Sequence, residues 1–180
     1  TRWCAQYARE LLHSNSERLY VGGDSAGGNL AIATCLKARD DGWAQHISGQ
    51  LLLYPVCDAG ARFPSYDAFG DLSILSRSSM AKMWEFYHPE QPVHRLASVL
   101  DCESFLGMPP AVVVTAELDI LRDEGRHLAR RMQDDGVPVV LHQAAGMTHG
   151  FASFSTVVLD VAEILRAACS RLCIPNTLAK

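Results

Sequence analysis

Two runs of residues, 47–54 and 111–117, constrain the fold of this 180-residue chain more than anything else in it. The first ends in Leu51-Leu52-Leu53-Tyr54 and the second begins with Ala111-Val112-Val113-Val114. Both runs are short for a buried helix, and neither shows the polar alternation of a half-exposed strand. Strands with both faces covered in a parallel sheet read this way. Pro55 closes the first run, and Pro109-Pro110 leads into the second. Hydrophobic residues make up 48% of the chain, enough for a substantial core.

Segments of helical character lie between and around these runs. Trp3, Tyr7, Leu11 and Leu12 recur at helical spacing over 3–12. A short strand follows at 18–22, then an Ala- and Leu-rich helix at 26–40 that Gly42 stops. After the strand 47–54 comes a long connection, 56–77, with Gly60, Pro64 and Gly70 in it. A helix at 78–87 ends before Pro89. The strand 111–117 is followed by a helix at 123–135, with Asp123 and Glu124 in its first turn and Arg130 and Arg131 near its end. That polarity complements the helix dipole. Gly136 caps it, a strand at 137–142 follows, and 151–173 reads as the last helix, with a frayed tail after Pro175. Strands alternating with helices predict an α/β fold, a parallel sheet of about four strands covered on both faces. In such sheets, chemistry gathers beyond the C-terminal ends of the strands.

Composition removes several classes of function. The net charge is −4, with signs mixed along the chain and no long basic run. Nucleic acid and anionic membrane are therefore not expected as obligatory partners. The most apolar stretch, 157–173, is interrupted by Asp160, Glu163, Arg166 and Arg171, so no transmembrane segment is predicted. The six cysteines, Cys4, Cys35, Cys57, Cys102, Cys169 and Cys173, form neither CxxC pairs nor a dense framework. They are expected to be reduced structural thiols, which points to a reducing, cytoplasmic compartment. No secretory signal opens the chain at Thr1. No metal site and no cofactor are expected, since Walker and G-x-G-x-x-G phosphate loops are both missing from the sequence.

The feature with chemical content is Gly23-Asp24-Ser25-Ala26-Gly27, a G-x-S-x-G motif between a predicted strand and a predicted helix. A sharp strand-to-helix turn forces close approach on both sides of the serine, and Gly23, Gly27 and Gly28 are expected to meet that demand by being small. The turn sets Ser25 at a helix N-terminus, where the N–H of Ala26 can face a developing oxyanion. A random match arises in about 5% of chains of this length. The motif alone could therefore be a mere glycine-rich turn, and its strand-helix setting is what raises it.

A serine needs a base, and the base needs an orienting acid. On a strand-turn-helix nucleophile the chain order is serine, acid, histidine. Asp119 lies just past the strand 111–117, and His149 lies in the loop 146–150 beyond the last strand. Of the seven histidines, His13, His46, His88 and His94 precede the acid, His127 falls in a helix and His142 in a strand. Asp123 is the alternative acid. It and Glu124 have a sufficient role at a helix start, and Glu117 still belongs to the strand.

The segments Gly22–Leu30, Glu117–Gly125 and Gly146–Phe151 together resemble the hormone-sensitive lipase family of α/β-hydrolases. In that family the first Asp of an Asp-x-Leu-x-Asp-Glu-Gly run is the triad acid, which corresponds to Asp119. Leu53-Tyr54-Pro55 and Pro109-Pro110-Ala111 are also similar to family segments. The resemblance implies an incomplete α/β-hydrolase fold, with 1–180 as the C-terminal part of one domain. The family's His-Gly-Gly-Gly oxyanion segment, N-terminal strands and cap helices have no counterpart in the sequence. It further implies a small-molecule ester substrate with a short acyl chain. The readings left open are amide or peptide hydrolysis on the same fold, a ligand-binding relative without catalysis, and a truncated inactive product.

Overall fold

A computed structural model describes residues 1–11, 18–71, 74–89, 93–156 and 158–173. Leu12, the predicted end of the first helix, and the tail after Pro175 lie outside the described residues. The element order is α1 (Arg2–Leu11), β1 (Tyr20–Asp24), α2 (Ala26–Asp40), β2 (Gly49–Leu53), α3 (Pro64–Phe69), α4 (Arg77–Tyr87), β3 (Ala111–Leu118), α5 (Arg122–Asp134), β4 (Val139–Thr148) and α6 (Leu159–Cys173).

The four strands form one parallel sheet in sequence order, β1-β2-β3-β4. Alternate residues of the two apolar runs go to opposite faces, as the pleat demands. Leu52 and Val113 pack with Ile32 and Leu36 of α2 and Leu128 and Met132 of α5. Leu53, Val112 and Val114 pack with Val161 and Ala168 of α6. The continuous apolar runs are thus the signature of a three-layer sandwich in which the central strands have no solvent face. A third cluster, Val56, Tyr66, Leu75, Met80, Ile120 and Leu121, sits beyond the C-terminal strand ends and supports the loops there.

Three predicted boundaries need correction. The connection 56–77 contains a short helix, α3, which starts with Pro64 where the ring has no N–H to waste. The last helix is not continuous from 151. A 3-10 turn, Phe151–Phe154, precedes α6, which begins at Leu159. The last strand does not end at His142 but runs to Thr148. Its register explains the extension. Ala116 pairs with Ala144 and Leu118 with Thr148, so β4 carries two extra residues where β3 advances by two and β4 by four. This bulge tilts the end of β4, and Glu117 Oε2 accepts the N–H of Gly146 within it at 2.7 Å.

Cys35, Cys57 and Cys102 are buried free thiols, and Cys169 is a free thiol on the exposed side of α6. Among the described residues, no helix is long and apolar enough to cross a membrane.

Candidate active site

Ser25 sits between the last residue of β1 and the first of α2, with φ 52° and ψ −120°. A positive φ is strained for a residue with a Cβ, and the surroundings hold it in place. The N–H of Ser25 donates to the carbonyl of Leu53 at 2.9 Å, and its carbonyl accepts from the N–H of Val56 at 3.2 Å. The end of β2 therefore clamps the serine turn from both sides.

The flanking glycines differ in what they do. A Cβ on Gly23 would lie 2.3 Å from the carbonyl carbon of Gly27, and one on Gly28 would lie 2.8 Å from the Pro55 Cβ. A Cβ on Gly27 would meet nothing nearer than the Asp24 carboxylate at 3.9 Å. The sequence-based expectation that Gly27 itself must lack a side chain is thus corrected. The tight contact is made by its backbone, and the glycine it requires is Gly23.

The bulge in β4 delivers His149 to this turn from the far edge of the sheet. Its Nε2 lies 2.9 Å from Ser25 Oγ, and its Nδ1 lies 2.8 Å from Asp119 Oδ2. Asp119 has no exposure, and its other oxygen accepts the N–H of Leu121 at 3.0 Å. With the carboxylate accepting at Nδ1, the neutral ring carries its proton there and leaves Nε2 free to accept the serine proton. Tyr54 packs on the imidazole in an edge-to-face pair, with ring centroids 4.9 Å apart. Burial, reinforced by Asp24, pushes the Tyr54 hydroxyl up to about 12, so this wall of the site stays uncharged. The structure thus brings Ser25, Asp119 and His149 together, across |i−j| separations of 124 and 30 residues.

The rival residues are occupied elsewhere. Asp123 forms ion pairs with Arg122 and Arg126, and Arg122 holds its carboxyl below the usual range. Glu117 holds the β4 bulge. The ring of His127 lies against Phe63, with centroids 5.4 Å apart.

Ala26 is the first residue of α2, so its N–H has no acceptor within the helix, and it borders the open space beside Ser25. That space is a cleft of about 390 Å³, lined by Ser25, His149, Val56, Leu75, Met80 and Trp84 among others. Among the described residues that line it, His149 is the one acidic or basic side chain. Helix α4 forms its far wall; Ser76 caps that helix by accepting the N–H of Ser79 at 3.1 Å. Among the described residues, no three His, Cys, Asp or Glu side chains converge in a way that could hold a metal ion.

Sequence reasoning missed three supports of this arrangement. Tyr54 was visible as the end of an apolar strand and as part of a segment similar to the family's, with no contact to the histidine implied. Asn29 is buried and donates through Nδ2 to the carbonyls of Val56 at 2.9 Å and Ala97 at 2.7 Å. Ser65 on α3 donates to the carbonyl of Ile120 at 2.5 Å and accepts the N–H of Asp123 at 3.3 Å, tying α3 to the acid's turn. A polar residue within the otherwise apolar first two turns of α2 was the available signal for Asn29. For Ser65 there was none.

A family model described as the alpha/beta hydrolase fold matches residues 1–153. The esterase LipI of Mycobacterium tuberculosis is 33% identical over 166 residues, which cover 91% of this chain and 51% of its own length. The carboxylesterase NlhH of the same organism is 35% identical, with 90% of this chain and 52% of its own length covered. A thermostable esterase of known structure from Pseudomonas putida superposes with a TM-score of 0.88 at 36% identity, over 94% of this chain and 55% of that one. The chain spans about half the length of the curated relatives it matches. With the sheet order, the serine turn and the family match in agreement, the chain belongs to the α/β-hydrolase family, in the group that resembles hormone-sensitive lipase, and the relatives it matches are named as esterases.

Proposed function

We propose that the whole protein hydrolyses carboxylic esters through an acyl-enzyme, with Ser25 as nucleophile, His149 as base and Asp119 as orienting acid. The observation that carries this reading is the unbroken relay of 2.9 and 2.8 Å from Ser25 Oγ through His149 to Asp119, opening on an apolar cleft. Ser25 Oγ attacks the carbonyl carbon while His149 Nε2 takes its proton. The oxyanion of the tetrahedral intermediate is met by the N–H of Ala26. Collapse breaks the C–O bond to the alcohol, which leaves with the proton held by His149. Water then attacks the acyl-serine with His149 again as base, releasing the acid and restoring Ser25. Asp119 stabilises the imidazolium formed in each half-reaction.

The apolar side chains that dominate the described lining of the cleft favour neutral acyl groups, and its volume suits a small ester. Turnover of p-nitrophenyl acetate, butyrate and decanoate, beside the matched p-nitroanilides, tests the assignment. The expected result is turnover of the short esters, falling at decanoate, with anilides slower by orders of magnitude. Comparable kcat/KM on esters and anilides would contradict it.

A further inference from the structure

Glu124 is a fully buried carboxyl beneath the site that takes no part in the relay. It lies in the first turn of α5. Its Oε1 accepts the N–H of Cys57 at 2.6 Å, and its Oε2 accepts the hydroxyl of Tyr66 at 3.1 Å. The backbone of Asp58 also bonds to it. All these donors are neutral, which is an expensive setting for a carboxyl that served packing alone.

Its partners belong to different halves of the site. Cys57 follows Val56, whose N–H holds the carbonyl of Ser25 and whose carbonyl is held by Asn29. Pro55, one residue earlier, is the surface against which Gly28 packs. Residues 55–58 therefore grip the serine turn. On the other side, α5 grows out of the acid's turn, where Leu121 donates to Asp119 Oδ1 and Arg122 donates to the Asp119 carbonyl. Glu124 is the hydrogen-bonded strut between these two pieces of chain.

We propose that Glu124 is a positioning residue of the relay, an inference that rests on the hydrolase reading: it fixes the gap between Ser25 and Asp119 that His149 must span. His149 spans that gap with contacts of 2.9 and 2.8 Å. A hydrogen bond is largely lost by about 3.5 Å, so a slip of well under 1 Å between segment 55–58 and α5 disconnects one end of the ring. Burial, with Asp58 adding in the same direction, pushes the Glu124 carboxyl well above its usual range. The bond to Cys57, not a negative charge, is then the property to preserve.

The test separates length from acidity. Glu124→Gln keeps the reach and replaces the acid by an amide; Glu124→Asp keeps the acid and shortens the reach. Both are made in the full-length protein, and kcat is normalised to serine titrated with a fluorophosphonate. The Asp variant is expected to lose at least tenfold in kcat with KM within about threefold. The Gln variant is expected to recover kcat to within about threefold of the parent, with the acid limb of its pH–rate profile unmoved. An Asp variant that melts earlier yet keeps the parent kcat per titrated site would show a purely structural role and overturn the inference. A Gln variant as impaired as the Asp variant, or one with a displaced acid limb, would overturn it equally. Should the hydrolase reading itself be wrong, the fluorophosphonate would fail to label Ser25 even in the parent, an outcome distinct from either.

Discussion

Gly23 and Gly27 stand symmetrically about Ser25 in the motif, yet the structure separates them. In Gly23→Ala the new methyl lies 2.3 Å from both the carbonyl carbon and the oxygen of Gly27, and 2.9 Å from the nitrogen of Gly28. An ordinary carbon contact needs about 3.5 Å, so the start of α2 and the end of β1 must part by roughly 1.2 Å. Neither side has room. β1 is held in register along β2 from Tyr20–Gly49 to Asp24–Leu53, and α2 is pinned where Gly28 meets Pro55. Overpacking of this kind costs about 1–3 kcal/mol, and a 1 Å misplacement of a reacting group costs on the order of 10²-fold in rate. In Gly27→Ala the methyl meets only the Asp24 carboxylate at 3.9 Å, an ordinary contact. A helical Gly→Ala replacement there is expected to leave stability unchanged or to raise it by up to about 1 kcal/mol. Thermal melts and turnover of p-nitrophenyl butyrate by the full-length variants provide the assay. Gly23→Ala should melt early and turn over about 10²-fold more slowly, while Gly27→Ala should retain both properties. Equal damage from the two substitutions would refute the contact analysis of the serine turn.

Asp119→Asn should lower kcat by on the order of 10³–10⁴-fold with little change in KM, because the amide no longer fixes the Nδ1–H tautomer of His149; a loss under tenfold in steady-state kinetics would contradict that role. The buried Glu124 carboxyl gives a pH signature with a defined sign. Its unfolded value is near 4.5 and its folded value is well above that, so the stability it permits is present below 4.5 and is lost as pH rises through the folded pKa. Asp58, Cys57 and Tyr66 face it, and Asp58 is already paired with Arg62. The melting temperature of Glu124→Gln relative to the parent should therefore climb across the pH range above 4.5. A difference that stays flat across that range would contradict the reading of a carboxyl held neutral by burial.

The sequence showed the centre of this fold better than its edge. β2 and β3 are covered on both faces, so their burial leaves a plain apolar signature in Leu51-Leu52-Leu53 and Val112-Val113-Val114. β4 has neighbours on one side within the sheet and many exposed positions. Its last residues, from Gln143 to Thr148, carry polar and small side chains and a glycine at φ 68°, which read as a loop. That is why the strand was expected to stop at His142, although His149 was still legible from chain order. Six-residue α3 was hidden because Pro64 and Gly70 bracket it, and both are loop signals as well as helix boundaries. The serine turn was visible in composition, but the unequal demands on Gly23 and Gly27 depend on where each Cβ would point. The supports of the relay, Asn29, Ser65 and Glu124, act through contacts across |i−j| separations of 27 to 68 residues. No local spacing encodes such contacts.

The central claim is that Ser25 and His149 form one catalytic unit, and a double-mutant cycle addresses it most directly. Ser25→Ala, His149→Ala and the double variant are prepared in the full-length protein, and kcat on p-nitrophenyl butyrate is measured for all three beside the parent. Groups that act as one unit lose their effect together, so the double variant should be scarcely slower than either single one. Each single loss should approach the roughly 10⁶-fold scale seen when a serine nucleophile or its base is removed. Losses that multiply, or a Ser25→Ala variant that retains substantial turnover, would mean that the 2.9 Å contact between Ser25 Oγ and His149 Nε2 is not the proton path.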